Sequence, residues 1–447
     1  MSDGCPAHRF VSSHPSGRTR SPRESRTPIM TSPSFQELPL APCLQKTLEQ
    51  KGYHHPSPVQ LESIPPILNG EDLLAVAQTG TGKTASFALP ILHRLHCENR
   101  KAYPGEVRNL VLTPTRELAV QIAASFRVYG AQIRFRCALV HGGVSQKPQE
   151  QKLRNGVDVL VACPGRLLDL LRQGIADLSE VQCLVLDEAD RMLDMGFLPE
   201  VRKIAKHLPA QRQGLLFSAT MPPAIAELAQ SLLDQPREIR ITPERKTADR
   251  LQHSVRFLDR SHKFTALTGL LLQNHTDRCL VFSKTKHGTG RLAERLSKAG
   301  IQSEAIHGNK SQSARQKSLE RFRSGKVPVL VATDVAARGI DVKDIGLVVN
   351  FDLPMEAENY VHRIGRTARA GASGKAVSLC SREEISLLQD VERALGADLP
   401  EDFAHEHRCE QTARARKKTR ASKDTRPNRQ SRRSSRGRTQ GTRTKRR

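Results

Sequence analysis

The chain has 447 residues, room for two cores of ordinary size, and a formal charge of +25 from 71 Lys/Arg against 46 Asp/Glu. Such an excess points to a polyanionic partner, nucleic acid or a membrane surface. With no apolar run near the ~20 residues of a membrane span and no signal-peptide core, a membrane partner is set aside and nucleic acid favoured. Nine cysteines without a C-x-x-C pair argue against zinc and against a redox dithiol, so a soluble, cytoplasmic protein with reduced thiols is expected.

Residues 1–33 hold five Arg against two acids and are rich in Ser and Pro, so they are expected to be a disordered arm. An organelle transit peptide is equally acid-poor, but the prolines oppose its amphipathic helix, and a start at Met30 is the other reading. A first α/β domain is expected over 34–235. In it, an apolar run at 73–75 leads into Ala77-Gln78-Thr79-Gly80-Thr81-Gly82-Lys83-Thr84 and then a helix. That order makes a phosphate-binding loop, its glycines freeing backbone N–H groups to wrap phosphates, Lys83 reaching the outer ones and Thr84 holding Mg²⁺. Apolar runs at 110–112, 157–162, 183–186 and 214–217 read as strands buried on both faces of a parallel sheet. Residues 236–250, with Pro236, Pro243 and many charges, are the expected linker. A second series at 279–282, 327–332, 345–350 and 375–379 marks a second domain, 251–400. Apolar periodicity then ends, and 401–447 is expected to be a basic disordered tail, with 16 Lys/Arg against one acid from 411 onward. Cys183 and Cys279, inside apolar runs, are expected in the cores.

Asp187-Glu188-Ala189-Asp190 follows the strand at 183–186, at the sheet edge where α/β proteins bind ligands. Asp187 is placed on Mg²⁺ and Glu188 on the attacking water. Phosphoryl transfer also needs positive charge on the equatorial oxygens. Arg366 and Arg369, in His362-Arg363-Ile364-Gly365-Arg366-Thr367-Ala368-Arg369, are suited to supply it but start 283 residues past Lys83, in the other domain. The pattern predicts a two-domain ATPase that is complete only when closed.

In this order the motifs resemble the DEAD-box family of ATP-dependent RNA helicases, from about Phe35 to about Leu399. The resemblance implies an α/β fold of two tandem RecA-like domains with parallel sheets, ATP and Mg²⁺ as cofactors, and RNA, single-stranded or in short duplexes, as partner. It implies that Gln60, with Phe35 or Tyr53 stacking, reads the adenine, and that Asp341 approaches the ribose. Ser218-Ala219-Thr220, bridged by His362, would couple hydrolysis to strand separation. RNA contacts fall on Arg116 in Pro114-Thr115-Arg116-Glu117-Leu118-Ala119, Gly142-Gly143 and Arg166 in the first domain, and on Gln312, Arg315 and Thr333 in the second. Ser57 and Cys163 stand where the family usually has Thr, and the Cys163 thiol is a weak donor. The stretch 187–197 and the compact core with its basic tail look most like the bacterial RhlE-type branch, and the family resemblance points to ribosomal or RNA-turnover complexes as partners. Two other readings stand beside it: an ATP-gated RNA clamp or annealing chaperone, which would use the same residues, and a DNA helicase or translocase, against which the Gln60 segment and Asp187-Glu188-Ala189-Asp190 argue.

Overall fold

Long Val/Leu/Ile runs without alternation can be satisfied only where both faces of a strand are covered. The computed structural model, which describes residues 33–78, 80–241, 251–273, 278–337, 342, 345–368 and 374–416, builds two all-parallel sheets from them. In the first, β1 (Leu73–Val76), β2 (Val107–Leu112), β3 (Cys137–Val140), β4 (Val157–Ala162), β5 (Cys183–Asp187), β6 (Gln213–Ser218) and β7 (Arg237–Arg240) lie in the order β3-β4-β2-β5-β6-β1-β7. The second orders β8 (Leu251–Phe257), β9 (Cys279–Phe282), β10 (Ser303–Ile306), β11 (Val329–Ala332), β12 (Leu347–Asn350) and β13 (Gly374–Cys380) as β10-β11-β9-β12-β13-β8.

Successive side chains leave a strand on opposite faces. On β2, Val111 therefore enters the core holding Phe87 and Phe126, while Leu110 and Leu112 enter the other with Leu167 and Met192. On β9, Leu280 and Val281 part in the same way. Cys183 and Cys279 are buried, as expected. Parallel strands put all their C-terminal ends on one edge, so every motif of the first domain follows a strand end except the Gln60 segment, which opens the helix Pro58–Leu68 ahead of β1. No described helix is long and apolar enough to cross a membrane.

Two expected boundaries move. The linker was placed from 236, but β7 pairs with β1 from Leu73↔Arg237 to Val76↔Arg240, so the first domain runs past 240. The tail was placed from 401, yet 401–416 are built onto the second domain. Val255 N–H donates to Pro400 O at 2.8 Å, Asp402 N–H to Val255 O at 2.9 Å and Cys409 N–H to Phe257 O at 2.9 Å, which covers the outer edge of β8. Arg256 Nε meets Asp402 Oδ2 at 2.7 Å, Arg416 pairs with Glu392, and Ala413 joins the core. Backbone bonds and ion pairs hold this strap rather than an apolar stripe. The expected arm and the remainder of the tail lie outside the described residues, apart from Pro33 at the arm's end.

Candidate nucleotide and RNA site

The phosphate loop leaves β1 at Ala77, whose N–H donates to Ser218 O at 2.9 Å. Gly80 and Gly82 have φ of +88° and +96°, in the left-handed region that only glycine enters without strain. A Cβ on Gly82 would stand 2.3 Å from Gln60 Nε2, so that glycine is also required for close approach. Gln60 donates from Nε2 to Gly82 O at 3.0 Å and accepts from Ser57 N–H at 2.9 Å, which fixes its amide against the loop. Lys83 opens the helix Lys83–Glu98; buried, it donates from Nζ to Ala77 O at 2.9 Å. Thr81 Oγ1 donates to Gln78 O at 2.8 Å, and Thr84 is half-buried on the first helical turn. Thr79 lies outside the described residues. Of the two candidate stacking rings, Phe35 is 4% exposed within the core and Tyr53 is 43% exposed, so Tyr53 offers the accessible face.

Asp187 ends β5, buried, and burial pushes its carboxyl up to about 7 although Lys83 pulls it down. Its Oδ1 is buried without a hydrogen-bond partner. A divalent cation would supply that partner and favour the ionised carboxylate, so the residues present fit Mg²⁺. Glu188 follows with φ +58° and ψ +53°, a left-handed backbone at a non-glycine residue, and its carboxylate pairs with Arg191. Such strain of ~1–3 kcal/mol persists only where the surroundings enforce it, which is common at active sites.

Sequence reasoning missed the work of the fourth letter of this motif. Asp190 Oδ2 accepts from Ala219 N–H at 3.1 Å, Thr220 N–H at 2.9 Å and Thr220 Oγ1 at 3.1 Å. Ser218 Oγ accepts from Asp190 N–H at 3.2 Å and donates to Thr220 O at 2.7 Å. The acidic motif and the Ser-Ala-Thr motif therefore form one hydrogen-bonded unit across neighbouring strands.

The second domain closes over this edge. His362 sits in the last turn of the helix Ala357–Ile364. Burial and then the nearby Arg191 charge pull its imidazole down to about 4, so it is neutral at pH 7. Arg366, buried just past the helix, donates from Nε to His362 O at 3.2 Å. Arg191 of the first domain lines one small cavity with His362, Arg363 and Arg366 of the second. Arg363 instead serves the fold, donating Nε and Nη2 to the two Asp334 carboxylate oxygens at 2.5 and 2.7 Å. Arg369 and Asp341 lie outside the described residues.

A second interdomain contact centres on Glu117, also unanticipated. Thr115 Oγ1 caps the helix Arg116–Tyr129 by accepting from Leu118 N–H, which buries Glu117 in its first turn. Across the interface Ser311 caps Gln312–Arg323, putting Gln312 and Arg315 on one face three residues apart. Gln312 Nε2 donates to Glu117 Oε1 at 3.1 Å, and Arg315 Nη2 meets the same oxygen at 2.9 Å. The only sequence signal was that acid inside a run otherwise assigned to RNA.

Among the other expected RNA residues, Arg116 lies across the double glycine: a Cβ on Gly143, at φ +77°, would stand 2.0 Å from Arg116 Nη1. Arg166 Nη1 is buried without a partner, although its Nε lies 3.8 Å from Asp169. Cys163 precedes the helix Pro164–Arg172 and makes no side-chain cap, as its weak thiol implied; burial pushes that thiol up to about 12. Thr333 is buried at the end of β11.

Two RecA-like domains, one with a phosphate loop and an acidic strand end and the other with arginines facing them, define a two-domain ATPase of the helicase class. Residues 57–228 match the DEAD/DEAH box helicase family and 262–371 the helicase conserved C-terminal domain. The chain is 40% identical over 360 residues to the DEAD-box ATP-dependent RNA helicase CshA of Geobacillus kaustophilus, covering 80% of this chain and 76% of that protein. It is 42% identical over 369 residues to the ATP-dependent RNA helicase DeaD of Escherichia coli, covering 82% of this chain but 58% of that longer protein. It likewise spans 64% of the Buchnera aphidicola DeaD protein. Saccharomyces cerevisiae Dbp5 bound to RNA and ADP BeF3 superposes with a TM-score of 0.73 at 30% identity, over 86% of this chain and 99% of that one. The chain belongs to the DEAD-box family of ATP-dependent RNA helicases.

Proposed function

We propose that the chain is an RNA-stimulated ATPase whose two domains close on ATP and one RNA strand and locally unwind short duplexes or remodel RNA–protein contacts. The observation that carries this is the contact of Gln312 and Arg315 with Glu117: closure joins the two RNA-facing motifs while setting Arg366 and His362 beside the acidic motif. The likeness to Dbp5 bound to RNA and ADP BeF3 supports the same arrangement.

In the reaction, a water oxygen bonds to the γ-phosphorus as the bond to the β-phosphate oxygen breaks, and the water's proton passes to Glu188. Lys83 binds the outer phosphates once it leaves Ala77 O. Arg366, with Arg369, faces the charge gathering on the equatorial oxygens. Gln60 and Tyr53 hold the base, and Asp341 the ribose. Thr84 and Asp187 would hold Mg²⁺, whose charge stabilises the transferring phosphoryl group. Neutral His362 can accept or donate one hydrogen bond toward the Asp190–Thr220 unit without adding charge, which suits it to relay closure.

RNA is the proposed strand because 2′-hydroxyls distinguish it from DNA. ATPase rates with RNA and DNA of identical sequence test this, and equal stimulation would favour the translocase reading. Strand displacement on short duplexes tests unwinding; ATP-dependent RNA binding without displacement would leave a clamp or annealing chaperone. Cytoplasmic location and action in ribosomal or turnover complexes are part of the proposal. So is the RhlE-type branch, which rests on the 187–197 stretch and the basic tail.

Two predictions concern the RNA path. Gly143→Ala should raise the RNA dissociation constant by about 10- to 10²-fold, since displacing Arg116 removes a charge-assisted bond of ~1.5–3 kcal/mol. Fluorescence anisotropy with a labelled oligonucleotide measures it, and unchanged affinity would take Arg116 off the path. Deleting 417–447, with 14 Lys/Arg against one acid, should make the log-affinity against log-salt slope shallower by roughly 3–4, as expected for about five phosphate contacts on single strands. The cut belongs at 417: one at 400 would strand Arg256 and Glu392 without their partners. An unchanged slope would leave the tail a merely solubilising segment.

A further inference from the structure

We propose that Arg191 is a positioning residue for hydrolysis: it aims the Glu188 carboxylate at the attacking water and ties that aim to the arrival of the second domain. This rests on Glu188 being the water-activating group. Arg191 is almost fully buried, and Nη1 pairs with Glu188 Oε2 across the first turn of the helix Ala189–Asp194. Nη2 of the same guanidinium is buried without a hydrogen-bond partner. The side chain also lines the small interdomain cavity that receives His362, Asn359 and Arg366 from the second domain.

Three physical points converge on this role. The left-handed backbone of Glu188 is strained, and a partner three residues on is what can hold its side chain in one direction. A guanidinium is planar and rigid, so a bond through one nitrogen orients the carboxylate where a lysine would leave it free to swing. Leaving the other nitrogen unpaired in a buried place is unfavourable, by about 1–3 kcal/mol for an ordinary donor and more for a charged one. That cost is offset once an acceptor, a water or a phosphate oxygen, occupies the cavity. Arg191 can then hold Glu188 with one nitrogen and the occupant with the other, fixing the distance between base and nucleophile. Charge also requires this balance: Lys83 faces Asp187, Arg191 faces Glu188, and Arg366 brings further positive charge from across the cleft. Arg191 forms and breaks no bond in the reaction.

The test uses the full chain with Arg191→Gln, Arg191→Lys, Glu188→Gln and the Glu188→Gln/Arg191→Gln double variant. Misplacing a reacting group by ~1 Å costs about 10²-fold. Arg191→Gln is therefore expected to lower kcat of the RNA-stimulated ATPase by about 10²-fold. KM for ATP, and RNA affinity measured with a non-hydrolysable ATP analogue, should stay within about twofold. Arg191→Lys should recover part of kcat because it keeps the charge and loses only the fork. The double variant should be no slower than Glu188→Gln alone, since residues acting as one unit are not additive. A purely structural role would instead shift melting temperature, KM and RNA affinity together and leave the two substitutions additive. A kcat within threefold of the parent, or full additivity, would overturn the proposal. If Arg191→Gln melts below the assay temperature, Arg191→Lys gives the same split between kcat and KM. Normal turnover in Glu188→Gln would remove the water-activating assignment itself, a failure distinct from that of Arg191.

Discussion

Glu188→Gln is expected to slow RNA-stimulated ATP hydrolysis by about 10²–10⁴-fold, the usual contribution of a positioned base, while ATP and RNA still bind. The amide keeps the size of the carboxylate and can still accept from Arg191, so the left-handed turn at Glu188 should survive. What it loses is the capacity to take the water's proton. The domains should therefore close and stay closed, and RNA affinity with ATP should match that of the parent protein with a non-hydrolysable analogue. Single-turnover hydrolysis and RNA binding on the same preparation separate chemistry from binding. Parent-level turnover would sink the assignment of the acidic motif.

Arg366→Ala is expected to lower kcat by about 10³–10⁵, the range for removing an arginine finger. Arg366 is buried beside His362 and Arg191, where charge is poorly screened. Its Nε bond to His362 O also orients the neutral imidazole's own helix end, so the variant should weaken RNA's effect on turnover as well as turnover itself. Nucleotide affinity without RNA should change little, because the open chain meets ATP through the first domain alone. A loss below tenfold would move the principal finger to Arg369.

The strands that apolar runs announced are those with neighbours on both sides. The four that went unannounced, β3, β7, β8 and β10, are the two edges of each sheet. The reason is exposure: Arg237–Arg240 has one buried position in four, and such a strand needs no continuous apolar run. The strap 401–416 escaped notice for a related reason, since ion pairs and edge hydrogen bonds leave no periodicity to read. Among site residues, the phosphate loop and the acidic motif were legible because their chemistry demands particular residues at fixed spacing. Asp190, Arg191 and Glu117 were not, because a charged residue on a helix reads as a solvated face until its partner is known.

The sequence by itself determined the two parallel sheets, the loop that takes phosphates, the carboxylates at a strand end and the family to which they belong. Backbone conformation and buried apolar runs are local properties, readable within some ten residues. The tertiary structure alone decided which side chains meet, across the cleft or, for Arg416 and Glu392, within the second domain. Glu117 with Arg315, Arg191 beside His362, and Arg416 with Glu392 come from segments 24 to 198 residues apart. An ion pair is set by distance in space and the dielectric between its members, and neither is written in the order of the chain.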